Sequence, residues 1–435
     1  MTLKKADNSI IRRLAKKKDI PLMDFILQNL KYLSKQKGIK TSVFASCPNS
    51  EAVLISSLRA AKRANAPIEV VATLNQVDVD GGYTGWTQKE LVWRLKEESK
   101  KINYSGPIIV AIDHGGPWLK DIQAIEKWSY DKCMDWIKNS FEKAVEAGYD
   151  LIHVDPTVDI NLPQGEIISI DVVAERTIKL IKHTENYRRK NDFPKISYEV
   201  GTEEVHGGLA DMNVFRRFLK LLKEGLNKEG LSDVWPCFIV GKVGTDLHTD
   251  IFDSKVAKKL VREAGKFGSF IKGHYTDFVK NPEDYPLSGM GGANVGPEFT
   301  EMEYHELKEL DKLEKNLWKN EVIPSPSNFI DAIRDAVIKS NRWRKWLLED
   351  EKEKDFNDLE EKRKEWLIKT GCRYVWTEPK VLAARHRLNK NLEKNGINAE
   401  QATLLRIERS MDKYYNAFNL TDINEKLISF IEKSD

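Results

Sequence analysis

Asp113 and His114 stand side by side in "PIIVAIDHGGPWLKD", directly after five apolar residues and directly before two glycines. A carboxylate next to an imidazole at the end of an apolar run can hold a metal ion or move a proton. The chain has eight histidines. His183, His305 and His386 sit within charged helical stretches and carry no assigned role. His114, His153, His206, His248 and His274 fall at or just past the ends of apolar runs. A single histidine in such a place is usually a structural hydrogen-bonding group. Several gathered at one mouth would, with a carboxylate, suit Zn²⁺ or a similar divalent ion. No HExxH-type spacing is present, so this reading depends on the fold bringing the runs together. Glycine-rich steps at "HGG" (114–116 and 206–208) and "GMGG" (289–292) either let backbone approach a ligand closely or make ordinary tight turns. Those in the last two loops also coincide with the place where barrels often bind phosphate.

The elements that must position these groups are short apolar runs alternating with amphipathic ones. The short runs span 41–46, 68–76, 108–114, 150–155, 195–203, 237–244, 269–277 and 291–296. Most are rich in Val, Ile and Ala, as parallel strands buried on both faces require. Helical periodicity covers Glu51–Ala64, Gln88–Lys101, Asp121–Ala147, Asp171–Tyr187, Asp211–Glu229 and Asp253–Phe267. Thr87 and either Asp253 or Ser254 are expected N-caps. Polar residues recur at nearly every strand end, at Asn49, Gln76, His114, Asp155, Glu203, Asp246, His274 and Asn294. An open sheet would gather them at one switch point, whereas a (β/α)8 barrel spreads them round one rim. The expected architecture is therefore a (β/α)8 TIM barrel over 1–318, with strands within about 41–300. A helical C-terminal extension follows over 319–435, charged and rich in tryptophan. Trp343, Trp346, Trp366 and Trp376 are expected to pack against the barrel helices.

Composition excludes several classes. The 435 residues include 70 Lys and Arg against 67 Asp and Glu, a net charge of +3, well interspersed and unlike a nucleic-acid footprint. No stretch approaches the roughly 18 apolar residues of a membrane span. The basic start lacks an apolar core and cleavage site, so no export signal is read and a cytoplasmic location is expected. The four scattered cysteines form no CxxC pair, which speaks against a disulfide framework or a cysteine zinc site.

The pieces "ATLNQVDVDGGYTGWT" (72–87), "DHGGP" (113–117), "IHVD" (152–155), "YEVGTE" (198–203), "GHYTDF" (273–278), "NVGPEFT" (294–300) and "RYVW" (373–376) are shared with a known family. In them the chain resembles the D-tagatose-bisphosphate aldolase non-catalytic subunit family of GatZ/KbaZ type, over essentially its whole length. The resemblance implies a TIM barrel related to class II aldolases, a helical tail, sugar or sugar-phosphate substrates, and a class II aldolase partner subunit or a homo-oligomer. The chain departs from the family pattern at 115, 156–159 and 204–206, where substrate would sit. There it is more similar to catalytic class II aldolases. Carried over position by position, their metal ligands become His114, His206 and His274, with Glu203 an alternative to His206.

The chemistry expected on this basis is that of a ketose or ketose-phosphate enzyme using a divalent metal, with Zn²⁺ the expected ion. Asp113 would act as base on the C4 hydroxyl, and Asp155 and Glu203 would orient hydroxyls or complete the metal shell. Asn75, Gln76, His153, Gly292 and Asn294 are expected to contact substrate. Cleavage of C3–C4 with release gives an aldolase; religation after the aldehyde turns over gives a 4-epimerase. The other reading is a non-catalytic subunit that stabilises a separate aldolase. No nucleic-acid or membrane partner is expected.

Overall fold

The computed structural model describes residues 8–163, 166–201, 211–245 and 249–431. Eight parallel strands form a closed barrel in chain order: β1 (Val43–Ser46), β2 (Ile68–Thr73), β3 (Ile108–Gly115), β4 (Leu151–Val154), β5 (Ser197–Val200), β6 (Phe238–Val240), β7 (Phe270–Gly273) and β8 (Gly292–Val295). β8 closes on β1 with Val43 opposite Gly292 and Ser46 opposite Val295. Each expected run contains one strand. Seven of the strands are shorter than their runs because the chain leaves the ladder once its residues turn polar: β7 ends at Gly273, and His274–Asp277 form a loop at the rim, whereas β3 continues one residue past its run to Gly115.

The crossover helices begin where hydroxyl or carboxylate side chains can cap them. Ser50, Thr87, Ser129, Ser169, Asp211 and Asp253 each accept a hydrogen bond from a first-turn N–H, and Thr87 with Glu90 makes a full capping box. The single helix expected over Asp121–Ala147 is instead two, Asp121–Ile125 and Tyr130–Ala147. Lys127 takes a left-handed φ of 49° and Ser129 starts the second helix as its cap, so local capping wins over the continuous apolar periodicity. Helix Leu22–Lys37 lies across the N-terminal ends of the strands, where Ser197 donates to Asp24 at 2.6 Å.

The lower barrel interior is not wholly apolar. Glu69 of β2, Glu199 of β5 and Lys272 of β7 are fully buried inside it. Lys272 Nζ donates to Glu69 Oε1 at 2.6 Å and to Glu199 Oε2 at 2.8 Å. Burial pushes the Glu69 carboxyl up to about 7 despite the adjacent ammonium. Glu199 is held below the usual carboxylate range, because Lys272 and the neighbouring imidazoles outweigh its burial. Removing the one cation between two buried acids leaves them uncompensated. Lys272→Met should therefore destabilise the fold by about 3–5 kcal/mol, read as a shift in the urea midpoint. A loss below about 1 kcal/mol would mean that the acids protonate without consequence.

The C-terminal region has two parts. Helices within 304–399 build a second core around Trp343, Phe356, Leu367 and Trp376. The last two helices, Ala399–Ala417 and Ile423–Ile431, return to the barrel core, where Tyr414 stacks on Phe44 of β1 with ring centroids 5.7 Å apart. The hydrophobic boundary thus does not fall cleanly at residue 318. No helix among the described residues is long and apolar enough to cross a membrane.

Candidate metal centre at the barrel mouth

In a regular strand, Asp113 and His114 would point to opposite faces. They do not, because the β3–β4 register shifts between Ile112 and Gly115, and His114 adopts a left-handed φ of 49°. This bulge turns both side chains into the mouth. The double glycine is the steric condition for it. A Cβ at Gly116 would sit 1.8 Å from the Asp155 carbonyl oxygen, and one at Gly115 would sit 2.4 Å from the Phe141 ring.

His114 and His274 meet. His274 Nδ1 lies 2.9 Å from His114 Nε2, and Asp113 Oδ1 lies 3.8 Å from His114 Nε2 and 3.9 Å from His274 Nδ1. The far nitrogen of each ring is tied to a buried carboxylate: His114 Nδ1 to Asp155 Oδ2 at 2.5 Å, and His274 Nε2 to Glu199 Oε1 at 2.8 Å. Zinc–nitrogen bonds of about 2.0–2.1 Å separate tetrahedral donors by about 3.3–3.5 Å, and the three observed spacings bracket that value. Imidazoles backed by carboxylates are the usual surroundings of a bound ion. Asn294 Oδ1 and His153 Nε2 are buried here without a hydrogen-bond partner among the described residues. The donor set and these buried atoms fit a divalent cation on His114 and His274, beside the Asp113 carboxylate.

The charges follow from the same geometry. Burial alone would raise Asp113, but His114, His274 and His153 hold it well below the usual range. Burial alone would lower His114, yet Asp113 and Asp155 raise it to about 9. Asp155 stays low because the His114 hydrogen bond outweighs its burial. Burial prevails at His274, which is lowered and therefore neutral.

The other expected site residues divide. Asn75, Gln76 and Asn294 line the cavity above the centre. Asn75 spends its amide on Leu119 O (2.9 Å) and Asp121 N–H (2.8 Å), and Gln76 on Pro48 O (3.1 Å) and Thr73 N–H (2.9 Å), so both brace loops. Asn294 Nδ2 faces Asp113 Oδ1 at 3.2 Å. Three expectations need correction. His153, expected at the substrate, lies fully buried beneath His114, and its Nδ1 accepts the His114 N–H at 3.0 Å. Asp155, expected to act on substrate or metal, is 1% exposed and backs the His114 ring instead. Gly292 opens β8 level with Lys272, against Val43 and Phe238, below the mouth rather than at it. Glu203 and His206 lie outside the described residues, as do Asp246 and His248. Glu199 was missed in the sequence, although a lone acid inside the apolar run of β5 was the signal for it. Trp346 was expected to be packing alone; it lines the cavity together with Arg373 and Tyr374.

Fold and site together define a (β/α)8 barrel with a histidine–carboxylate centre at the C-terminal rim of its strands. A sequence model of the D-tagatose-1,6-bisphosphate aldolase subunit GatZ/KbaZ-like family matches residues 27–433. The chain belongs to that family. Among solved structures it is similar to a probable tagatose 6 phosphate kinase from Sinorhizobium meliloti 1021, with 19% identity, a TM-score of 0.70, and coverage of 86% of this chain and 100% of that one. At that identity the likeness speaks to the fold alone. It also matches a fructose-bisphosphate aldolase from Campylobacter jejuni with 11% identity and a TM-score of 0.49, covering 92% and 95% of the two chains. The YdjI aldolase from Escherichia coli K12 matches with 13% identity and a TM-score of 0.42, covering 65% and 85%.

Proposed function

We propose that the protein is a divalent-metal-dependent carbohydrate enzyme that breaks and re-forms the C3–C4 bond of a ketose or ketose phosphate, as an aldolase or a 4-epimerase. One observation carries this reading: two imidazole nitrogens 2.9 Å apart beside the Asp113 carboxylate, each ring backed by a buried acid. A cation bound there, with Zn²⁺ the best match to these donors, would supply Lewis acidity toward the C2 carbonyl and its neighbouring hydroxyl. Asp113, held ionised, accepts the C4 hydroxyl proton as the C3–C4 bond opens, and returns it on closure. Asn294 orients that carboxylate through its 3.2 Å contact. Asp155 and Glu199 fix which ring nitrogens face the cavity. Release of the aldehyde fragment, with the proton taken from the C4 hydroxyl delivered to C3 of the enediolate, makes the reaction an aldol cleavage; rotation of the aldehyde and re-addition invert C4.

The test combines metal analysis of the purified protein with a screen of ketoses and their phosphates, with and without chelator. Stoichiometric metal and chelator-sensitive conversion are expected. Absence of both would sink the reading. A second reading, consistent with a family described as a subunit of an aldolase, is a partner that stabilises a separate class II aldolase in the cytoplasm. That reading predicts co-purification with such an enzyme and its inactivation when this chain is removed.

A further inference from the structure

The cavity above the histidines, about 1020 Å³ of open space, has a second wall supplied by the C-terminal region. Arg342 and Lys345 both donate to Asp121, each at 2.8 Å, so one carboxylate serves two cations. Arg373 is different. Its Nε donates to the Thr370 carbonyl at 2.8 Å, and its guanidinium lies 5.2 Å from the Trp346 ring and 5.6 Å from the Tyr374 ring. Among the described residues no carboxylate lies within ion-pair distance of it. Asp277 acts on it only from beyond ion-pair distance, so an arginine flanked by aromatic rings is left as a fork for a planar or tetrahedral oxyanion.

A second observation points to the same residue. Barrels commonly bind phosphate on backbone N–H groups after their last strands. Here that cradle is filled from within the chain: Asp277 Oδ1 accepts the Gly296 N–H at 2.9 Å and the Glu298 N–H at 2.8 Å. An anionic substrate group must therefore find its donors elsewhere on the cavity wall.

We infer that Arg373 anchors an oxyanionic terminus, a phosphate or a carboxylate, of the sugar whose carbonyl end faces His114 and His274. This rests on the reaction proposed above, in that it places the carbonyl at the histidine centre. The substrate class is then an acidic ketose, either a phosphate ester or a sugar acid, and the C-terminal region is part of the binding site. Trp346 and Tyr374 flank the guanidinium.

Calorimetric titration of the full-length protein with D-fructose 6-phosphate, D-fructuronate and D-fructose tests this. At least one acidic sugar should bind about tenfold or more tightly than D-fructose, and the tighter of the two identifies the group. In Arg373→Gln that acidic sugar should bind about 10- to 100-fold more weakly, with D-fructose unchanged. Arg373→Lys, which keeps charge but not the fork, should fall between and serves if the glutamine variant does not fold. Equal binding of all three sugars, no binding of any, or undiminished acid binding in both variants overturns the inference. Anion preference lost in the variants, with no sugar converted, upholds Arg373 and counts against the proposed reaction. Conversion of D-fructose with no anion preference does the reverse.

Discussion

His274→Ala and His114→Ala should each leave a folded barrel that holds little metal, with affinity reduced by more than about 100-fold. That threshold follows because residues that merely back a ligand already cost about 10- to 100-fold when changed. Glu199→Gln and Asp155→Asn should fall in that smaller range, since they remove only the acid behind each ring. A pH signature accompanies the loss. His114 is raised to about 9 by Asp113 and Asp155 against the lowering effect of burial, so without an ion it is an imidazolium at neutral pH. Binding must displace that proton. Wild-type affinity should rise about tenfold per pH unit between pH 7 and 9 and then level, and His114→Ala should lose this slope. Competition with a chromogenic chelator measures both. Full occupancy in the two alanine variants would remove these histidines from the ligand set.

Asp113→Asn should lower turnover by about 10²–10⁴, the usual contribution of a positioned base. Asparagine keeps an oxygen that can accept from Asn294, so the local geometry should persist. What it cannot do is take a proton. Metal content and substrate affinity should stay near wild type while kcat collapses, measured by steady-state assay on the ketose found in the screen. Unchanged turnover would dismiss the role. Joint loss of metal and activity would reassign Asp113 from base to ligand, a choice that its 3.8 and 3.9 Å distances from the two ring nitrogens make meaningful.

Much of the fold could be read directly. Eight buried strands alternating with capped amphipathic helices admit few closed arrangements, and polar residues at the C-terminal strand ends indicated which rim would carry chemistry. The pairing of His114 with His274 followed from that topology, although 160 positions separate them. Less legible was the depth of each side chain. His153 stands one position before Val154 and two before Asp155 in a run that looked like rim, yet it faces inward under His114. Glu199 and Lys272, polar residues inside apolar strands, carried no expected role; their 2.8 Å contact inside the barrel accounts for them. Arg373 and Trp346 lay in a charged helical tail whose packing against the mouth has no periodic signature.

The sequence by itself determined the alternation of strand and helix, the closed parallel barrel and the end at which imidazoles would gather. These rest on periodicity and capping, which act over a few residues. Tertiary structure alone decided which nitrogens face one another, which acids stand behind them, and that a distant arginine completes the cavity wall. Those depend on a one-residue bulge and on burial, and neither leaves a local trace in the order of residues.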